Sequence, residues 1–363
     1  MPRIKSILIE VNDKKSRNWS RAAKRLNLGE LIPVSGSPMY MPFALIGSIL
    51  RGKIPDAIIM RYVNDYPSFL RTILRTFTDF LNIVIAKISG VLIFWICHNV
   101  DKESVSYYPL ITLARRCALK KNSKKIFVMD DLLITPCVKA LGVSKEKVVG
   151  ICFGRIDMPD PDEKYESHIV EQTIARIRNW EYFKKSQKGE IKIGLWIGTP
   201  TDKKLHGLKI LADVISRPAG GDADFAFVVI GPIGKWLRQG ATEAYSVLNK
   251  SSRVMMIDQY VDLPSHRWIE VCNFIWKPSS DCSINLTAYN SAAASLPLVA
   301  FAGTFFGDFI GHYKLGVVID PDRISSSDLW NKLQQWSPES ATAFLEMKTW
   351  DHGVRKIFDA ATK

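Results

Sequence analysis

The sequence predicts an α/β protein with two doubly wound, Rossmann-like domains, and three observations lead to this fold class. Several apolar runs, such as residues 91–97 and 191–197, have the length of single buried strands. Runs that are apolar on both faces are typical of central parallel strands. A helical pattern or a glycine-bearing loop follows most of these runs, as in βαβ units. The length of 363 residues, 47% of them hydrophobic and 23% charged, suits two globular domains of ordinary size.

The first half contains five predicted strands separated by helices. No glycine-rich turn follows the first strand, which argues against a dinucleotide-binding fingerprint. The apolar segment 37–53 has a basic end and fits either a core helix or a segment lying in a lipid interface. The predicted strands are residues 4–11, 56–62, 91–97, 125–129 and 148–153, and the predicted helices are residues 19–26, 67–89, 108–120 and one capped by Asp130 and Asp131.

A second series of strands and helices follows a turn-rich stretch, residues 154–166, which we interpret as the linker. The simplest architecture places two domains in tandem with their carboxyl edges facing each other across a cleft. The predicted helices are 168–187 and 338–361, and the predicted strands are 191–197, 225–230, 254–257, 273–276 and 297–301. The predicted divisions are 1–155 for the first domain, 156–188 for linker and helix, 189–337 for the second domain, and 338–363 for a helix that crosses back to the first.

The positive charge is concentrated in the first part of the chain. Residues 1–160 contain 25 Lys and Arg against 13 Asp and Glu, whereas residues 161–363 contain 24 against 23. This asymmetry indicates an anionic partner for the first half, such as a membrane surface, a lipid-linked phosphate or a nucleic acid. A basic surface that only aids solubility is the alternative.

The cysteines and apolar segments bear on the compartment. The six cysteines show no metal-ligand spacing, and we expect them to be reduced. The N-terminal apolar run is too short for a signal peptide, and residues 39–50 are too short to span a bilayer. We therefore expect a cytoplasmic protein that lies peripherally at the inner face of the cell membrane.

Residues 277–301 contain the features of a ligand-binding unit. Ser279, Ser280 and Asp281 belong to a loop of turn and N-cap residues, a helix is predicted from Ser283 to residue 295, and residues 296–301 are predicted as a buried strand. The start of a helix presents unpaired N–H groups and can bind an anion. An ordinary capped helix of an α/β sheet is the other interpretation.

Residues 94–103, residues 198–207 and residues 277–301 resemble segments of the GT-B glycosyltransferases, and within them of the bacterial branch akin to glycosyltransferase family 4 that acts on lipid-linked glycans. Residues 94–103 resemble the segment of that branch with tryptophan, histidine and asparagine, and residues 198–207 resemble its loop that holds the donor diphosphate. Residues 277–301 resemble its nucleotide-sugar motif. The resemblance implies a first domain that binds the acceptor and a second domain that binds a nucleoside-diphosphate sugar.

The sequence also departs from the family pattern. Retaining members of family 4 carry two glutamates in the last motif, where this chain has Asp281 or Cys282 and then Asn290. Thr199 replaces the arginine of the diphosphate loop, and its lysine is displaced among Lys203 and its neighbours. Asparagine can bond a sugar hydroxyl but supplies no carboxylate. Retention or inversion is therefore not assigned.

The donor chemistry needs positive groups at the departing diphosphate. Because no dense carboxylate cluster is available for Mg²⁺, we expect no metal and no cofactor, with Lys203, Lys204 and the helix start meeting the charge. A solvated loop is the alternative for the lysines. Gly231 would let the nucleotide approach the backbone, and Tyr260 could stack on its base.

On the acceptor side, His98 follows a central strand and is the candidate general base, with Asp101 and Glu103 behind it. A structural histidine is the alternative. The predicted function is transfer of a sugar from a nucleoside diphosphate to a glycan hydroxyl, with a lipid-linked acceptor, in bacterial polysaccharide biosynthesis. A non-catalytic sugar-nucleotide-binding protein and a basic nucleic-acid-binding protein are alternatives. No nucleic-acid motif is recognised, and the ten tryptophans are not interleaved with basic residues, so no nucleic-acid partner is expected.

Overall fold

The computed structural model describes residues 5–101, 103, 106–155, 167–198, 202–216, 224–232, 242–277, 279–323 and 325–362, and of residues 167, 202–206, 224 and 362 it describes only the backbone. Two six-stranded parallel sheets, each flanked by helices, form the structure. The predicted α/β class with two doubly wound sheets is confirmed. The chain groups into two units, one of Met1–Gly154, Cys282–Ile284 and Met347–Lys363, the other of Arg155–Asp281 and Asn285–Glu346.

Sheet A belongs to the first unit and has the strand order β2-β1-β3-β4-β5-β6. The order changes direction between β1 and β3, whose pairing sets Ile7 opposite Ala57. The sheet consists of β1 (Ser6–Ile9), β2 (Glu30–Pro33), β3 (Ala57–Met60), β4 (Leu92–Ile96), β5 (Lys125–Val128) and β6 (Val148–Gly150). The helices of this unit are α1 (Lys14–Arg25), α2 (Met41–Leu50), α3 (Phe69–Ile88), α4 (Pro109–Asn122), α5 (Ile134–Leu141) and, at the end of the chain, α14 (Trp350–Thr362).

Sheet B belongs to the second unit and has the order β12-β11-β10-β7-β8-β9, which changes direction between β7 and β10. Its strands are β7 (Ile191–Ile197), β8 (Asp224–Ile230), β9 (Val254–Ile257), β10 (Phe274–Trp276), β11 (Leu298–Phe301) and β12 (Gly316–Ile319). Its helices are α6 (Ser167–Asn179), α7 (Glu181–Gln187), α8 (Asp202–Ser216), α9 (Thr242–Lys250), α10 (Leu286–Ala293), α11 (Phe305–Tyr313), α12 (Ser326–Gln335) and α13 (Glu339–Met347).

Local sequence explains where several elements begin and end. Asp13 and Ser16 form a reciprocal capping box at the start of α1, so two N–H groups that lack intrahelical partners are bonded. The Asp130 side chain accepts a bond from the Leu132 N–H and caps the turn that leads into α5. α5 ends at Gly142, whose φ of +59° is in the left-handed region that favours glycine.

Two predicted long helices are wrong in extent, because each is broken once. The helix predicted over 168–187 is α6 and α7, separated by Trp180 in an extended conformation. The helix predicted over 338–361 is α13 and α14, and between them the buried Lys348 pairs with Asp130 at 2.6 Å. The predicted linker falls mostly on residues 156–166, which lie outside the described residues.

Candidate functional site

The point in sheet B where the strand order reverses lies between β7 and β10. In open parallel sheets, ligands bind outside the carboxyl ends of the strands at such a point, because the connections on either side leave in opposite directions. Gly198 follows β7, Gly231 follows the neighbouring β8, and Lys277 follows β10. Three successive strand ends of the second unit therefore supply candidate ligand contacts at one edge of the sheet.

Two glycines shape this edge. Gly198 has φ of +120° and donates its N–H to the Ile230 carbonyl at 3.0 Å. Gly231 has φ of +154° and donates to the Ile257 carbonyl at 3.0 Å. A side chain is strained at these angles, and among the described residues, apart from its chain neighbours, no heavy atom would lie within 4 Å of a Cβ at Gly198. Nothing in the described part of the chain therefore blocks close approach of a ligand to the backbone at Gly198.

The loop after β10 buries polar residues. Lys277, Ser279 and Asp281 are each less than 8% exposed, whereas Ser280 is exposed. The Ser279 N–H donates to the Lys277 carbonyl at 2.9 Å. Ser283, also buried, belongs to the short segment Cys282–Ile284 that groups with the first unit. Ser283 is thus grouped separately from Ser279 and Asp281, which belong to the second unit.

The helix predicted to begin at Ser283 begins three residues later, and that part of the prediction is wrong. α10 starts at Leu286, and the Asn285 side chain caps it by accepting from the Thr287 N–H at 3.0 Å. Asparagine and serine are both good N-caps, so composition alone did not select between them. Within α10, the buried Oδ1 of Asn290 has no hydrogen-bond partner among the described residues.

The other predicted donor residues are less informative. Thr199 lies outside the described residues. Lys203 and Lys204 are in the first turn of α8 rather than in a loop, and only their backbone is described. Tyr260 is 71% exposed, beyond the end of β9.

In the first unit, the carboxyl ends of three adjacent strands bring together a group of side chains that we name the strand-end cluster. Asp13 and Lys15 follow β1, Arg61 and Tyr62 follow β3, and His98 follows β4. β1 and β3 are the strands between which the order of sheet A reverses. The cluster therefore lies where an open α/β sheet binds its ligand.

Stacking and hydrogen bonds hold the strand-end cluster together. The rings of Tyr62 and His98 stack with centroids 4.9 Å apart and planes inclined by 15°. Arg61 lies 4.7 Å from the Tyr62 ring centroid and donates from Nη1 to Asp13 Oδ1 at 2.9 Å. The Tyr62 hydroxyl donates to Asp13 Oδ2 at 2.9 Å. His98 is thus fixed in orientation by a side chain that is itself anchored.

The protonation state of His98 follows from this environment. Burial lowers the pKa of His98 well below its ordinary value of 6.5, and the positive charges of Lys15 and Arg61 lower it further, against the opposing effect of Asp13. The ring is therefore neutral near pH 7. Its Nε2 is buried and has no hydrogen-bond partner among the described residues. A neutral imidazole with a free nitrogen can accept a hydroxyl proton.

The pKa values of the neighbouring charged residues are also shifted. Burial and the nearby positive charge of Arg61 together lower the pKa of Lys15 to about 8, against the opposing effect of Asp13. Burial would raise the pKa of Asp13, but the charge and hydrogen bond of Arg61 and the bonds from Ser16 and Tyr62 outweigh it and hold the pKa well below its usual range. Asp13 therefore keeps its negative charge, which anchors Arg61.

The two carboxylates predicted behind His98 are differently placed. Glu103 is buried and accepts bonds from Arg116 at 2.5 Å and from Asn99 at 3.3 Å. Asp101 is exposed. The charges that act on His98 come instead from Lys15, Arg61 and Asp13.

Sequence reasoning missed most of the strand-end cluster. The predicted second strand ran through Tyr62, whereas β3 ends at Met60, so Arg61 and Tyr62 were assigned to the strand instead of its end. A usable signal was present, because both residues directly follow a buried strand, as His98 does. Asp13 falls outside every element predicted from the sequence, although it is three residues before Ser16 and caps α1.

Solved structures resemble this chain over its full length. HepE of Anabaena, in complex with UDP and glucose, is 11% identical over 99% of this chain and 98% of that one, with a TM-score of 0.61. A glycosyltransferase from Rickettsia africae is 14% identical over 99% of both chains, with a TM-score of 0.63. Trehalose 6-phosphate synthase from Burkholderia multivorans is 9% identical over 99% and 98%, with a TM-score of 0.59.

The chain has the GT-B fold. No family model and no curated protein sequence matches it. At 9–14% identity the likeness is one of fold, so the assignment to the branch akin to family 4 stays a prediction.

Three further findings on this GT-B chain concern metal binding, membrane-spanning helices and the cysteines. Among the described residues, no group of three His, Cys, Asp or Glu side chains could hold a metal ion. No helix in the described part of the chain is long and apolar enough to cross a membrane. The six cysteines, all within the described residues, are free thiols.

Proposed function

We propose that the protein is a glycosyltransferase that moves a sugar from a nucleoside diphosphate to a hydroxyl of a lipid-linked glycan. The observation that carries the proposal is the full-length GT-B fold, with ligand-binding features at the reversal point of sheet B. UDP is the first candidate nucleotide, because HepE was solved with UDP and with UDP-glucose.

The second unit has the groups that a donor needs. Gly198 and Gly231 would let the nucleotide lie against the backbone. Asn290 Oδ1, which has no hydrogen-bond partner in the described part of the chain, can accept a hydrogen bond from a ribose or sugar hydroxyl. Lys203 and Lys204, at the start of α8, can neutralise the diphosphate together with the helix N-terminus. Transfer would then proceed without a metal, and chelators would leave it unchanged.

The first unit has a group suited to the acceptor. In the proposed step, the acceptor oxygen bonds to the anomeric carbon while the bond from that carbon to the diphosphate oxygen breaks. The hydroxyl proton passes to Nε2 of His98, and the nucleoside diphosphate leaves as an anion. Arg61 and Lys15, beside His98, would attract the phosphate of a lipid-linked acceptor.

The basic first half supports an acceptor at a membrane. Its excess of Lys and Arg favours a phosphate-bearing lipid and the anionic inner face of a bacterial membrane. We place the protein there as a peripheral enzyme of polysaccharide biosynthesis.

The test is transfer of labelled sugar from a panel of UDP-sugars to lipid extracted from bacterial membranes. We expect one UDP-sugar to label the lipid fraction. His98→Gln should reduce the rate on the order of 10²-fold or more, as expected for loss of a general base. The matched control is His352→Gln, at an exposed histidine of α14.

Two results would count against the proposal. Binding of UDP without transfer to any lipid fraction would favour a non-catalytic sugar-nucleotide-binding protein. Such a protein would be consistent with the lack of the family's two glutamates, whose positions hold Asp281 or Cys282 and then Asn290. Equal rates for His98→Gln and the wild type would remove His98 as the base.

A further inference from the structure

The helix α3 turns its polar side inward and its apolar side outward. Thr72, Arg75, Asp79 and Asn82 are buried, and they recur at intervals of three or four residues along one side. The other side carries large exposed apolar residues at the same spacing: Leu70, Ile73, Leu74, Phe77, Phe80 and Val84. A helix at the surface of a protein in water normally has the reverse arrangement.

Buried ion pairs fix this orientation. Arg75 pairs with Glu10 of the β1 end and, at 3.2 Å, with Asp79 one turn along α3. Asp79 in turn pairs with Arg115 of α4 at 2.7 Å. Rotating α3 to bury its apolar side would break these pairs and leave their buried partners without compensating charge. The buried ion pairs therefore keep the apolar side of α3 facing outward.

The exposed apolar surface extends beyond α3 to the helices packed against it. α2 adds Phe43 and Leu50, of which Leu50 is 81% exposed, and the first turns of α4 add Leu110, which is 82% exposed. Most of the large exposed apolar residues in the described part of the chain lie in residues 40–54, 69–88 and 107–113. We name this surface the α3 face. Large exposed apolar areas of this kind mark interaction surfaces.

The charges around the α3 face select its partner. Arg51, Lys53, Arg71 and Lys87 are exposed on or next to α2 and α3. Between residues 37 and 100 there are three acidic residues. Two of them, Asp65 and Asp79, are buried, and the third, Asp56, accepts bonds from the backbone N–H groups of residues 5 and 6.

A second copy of this chain would place the same cations opposite each other, which is unfavourable. An apolar surface bordered by cations instead fits a membrane with anionic headgroups, where apolar side chains enter the acyl boundary and Lys and Arg meet the phosphates. We propose that the α3 face is the membrane-docking surface of the protein. This inference specifies which surface makes the membrane contact of the proposed function. It rests on the proposed function only for the identity of the acceptor.

The test is flotation of the full-length protein with vesicles, either of phosphatidylcholine alone or with added anionic phosphatidylglycerol. We expect binding to the anionic vesicles and weaker binding to the neutral ones. Leu74→Ser with Phe77→Ser should lower the partition coefficient about tenfold or more, because these side chains would enter the apolar boundary. The matched control, Ile269→Ser with Met347→Ser, removes two apolar residues that are also exposed but lie elsewhere, and should bind like the wild type.

A second pair of variants tests the charges. Arg51→Gln with Lys53→Gln should weaken binding to anionic vesicles about tenfold, and Lys139→Gln with Lys145→Gln, which removes the same charge from another exposed surface, should have a smaller effect. Unchanged partitioning of the Leu74 and Phe77 variant would overturn the proposal. So would a wild-type dimer in solution that the same two substitutions dissociate. Titration of UDP into the same samples separates the two proposals, since donor binding does not require the α3 face.

Discussion

At the scale of single residues, Asp79 is the centre of the charge network beneath α3. Its carboxylate lies between the guanidinium groups of Arg75 and Arg115, all of them almost fully buried. Removing one partner of a buried pair leaves charge without compensation. We expect Asp79→Ala to reduce the free energy of unfolding by about 3–5 kcal/mol, measured by urea denaturation.

The control for Asp79 is an exposed ion pair in a helix. Asp328 and Lys332 pair at 2.9 Å on α12, and both side chains are about half exposed. Because solvent screens such a pair, Asp328→Ala should reduce the free energy of unfolding by less than about 1 kcal/mol. Similar costs for the two substitutions would show that Asp79 is not acting as the compensating charge for two buried arginines.

The lowered pKa of His98 gives a pH dependence with a definite sign. Below about pH 6.5 the unfolded chain binds a proton at this histidine, whereas the folded protein does not until a much lower pH. Stability is therefore lost as the pH falls below about 6.5. We expect His98→Asn to lose less stability than the wild type between pH 7 and about pH 5, measured by thermal unfolding. A steeper loss in the variant would contradict the buried, neutral assignment.

A site residue could be predicted from the sequence only where the end of the preceding strand was clear. His98 was found because it follows an apolar run with no ambiguity about where the strand stops. Arg61 and Tyr62 were not predicted as site residues, because their side chains are compatible with a strand. Only the pairing of β3 with β4 shows that β3 ends at Met60. The stacking of Tyr62 on His98 joins two strands distant in sequence, which no local pattern encodes.

At the scale of elements, Gly194 determines how tightly sheet B is packed. It lies in the central strand β7, where a Cβ would come within 2.7 Å of the rings of Phe227 and Phe274. These rings meet edge to face above it, with centroids 5.8 Å apart. We expect Gly194→Ala to destabilise the protein by about 1–3 kcal/mol, because the rings must move.

The same substitution at Gly47 should have the opposite effect on stability and stabilise the protein. Gly47 lies inside α2, and a Cβ there would meet only the Arg51 side chain at 3.7 Å, an ordinary contact. Alanine in a helix interior is favoured over glycine by up to about 1 kcal/mol. Thermal unfolding of both variants is the measurement. A destabilising Gly47→Ala would show that α2 is restrained by something other than its helical conformation.

The two strands that the sequence did not predict, β2 and β12, lie at the edges of their sheets. β2 has one buried residue, Leu31, and ends at Pro33, so neither apolar periodicity nor hydrogen-bonding capacity marks it as a strand. β12 is four residues long. The central strands were predicted because burial on both faces demands a continuous apolar run, as in β7, whose bounds agree with the prediction. Edge strands lack that requirement.

At the scale of the whole molecule, the two sheets differ in strand order but share one principle. Each reverses direction between two strands, and in each the residues just beyond that reversal carry the candidate chemistry. Sheet A has charged and aromatic groups there, suited to a hydroxyl and a phosphate. Sheet B has glycines and buried polar residues, suited to a nucleotide.

The proposed function depends most on nucleotide binding by the second unit. The direct measurement is calorimetric titration of the full-length protein with UDP, UDP-sugars and other nucleoside diphosphates, alongside Asn290→Ala and the control Asn331→Ala at an exposed position of α12. We predict that one nucleotide binds the wild type with a Kd between about 1 μM and 1 mM. Binding should be weaker in Asn290→Ala and unchanged in the control. Absence of binding to the folded wild type across the whole panel would contradict the glycosyltransferase assignment.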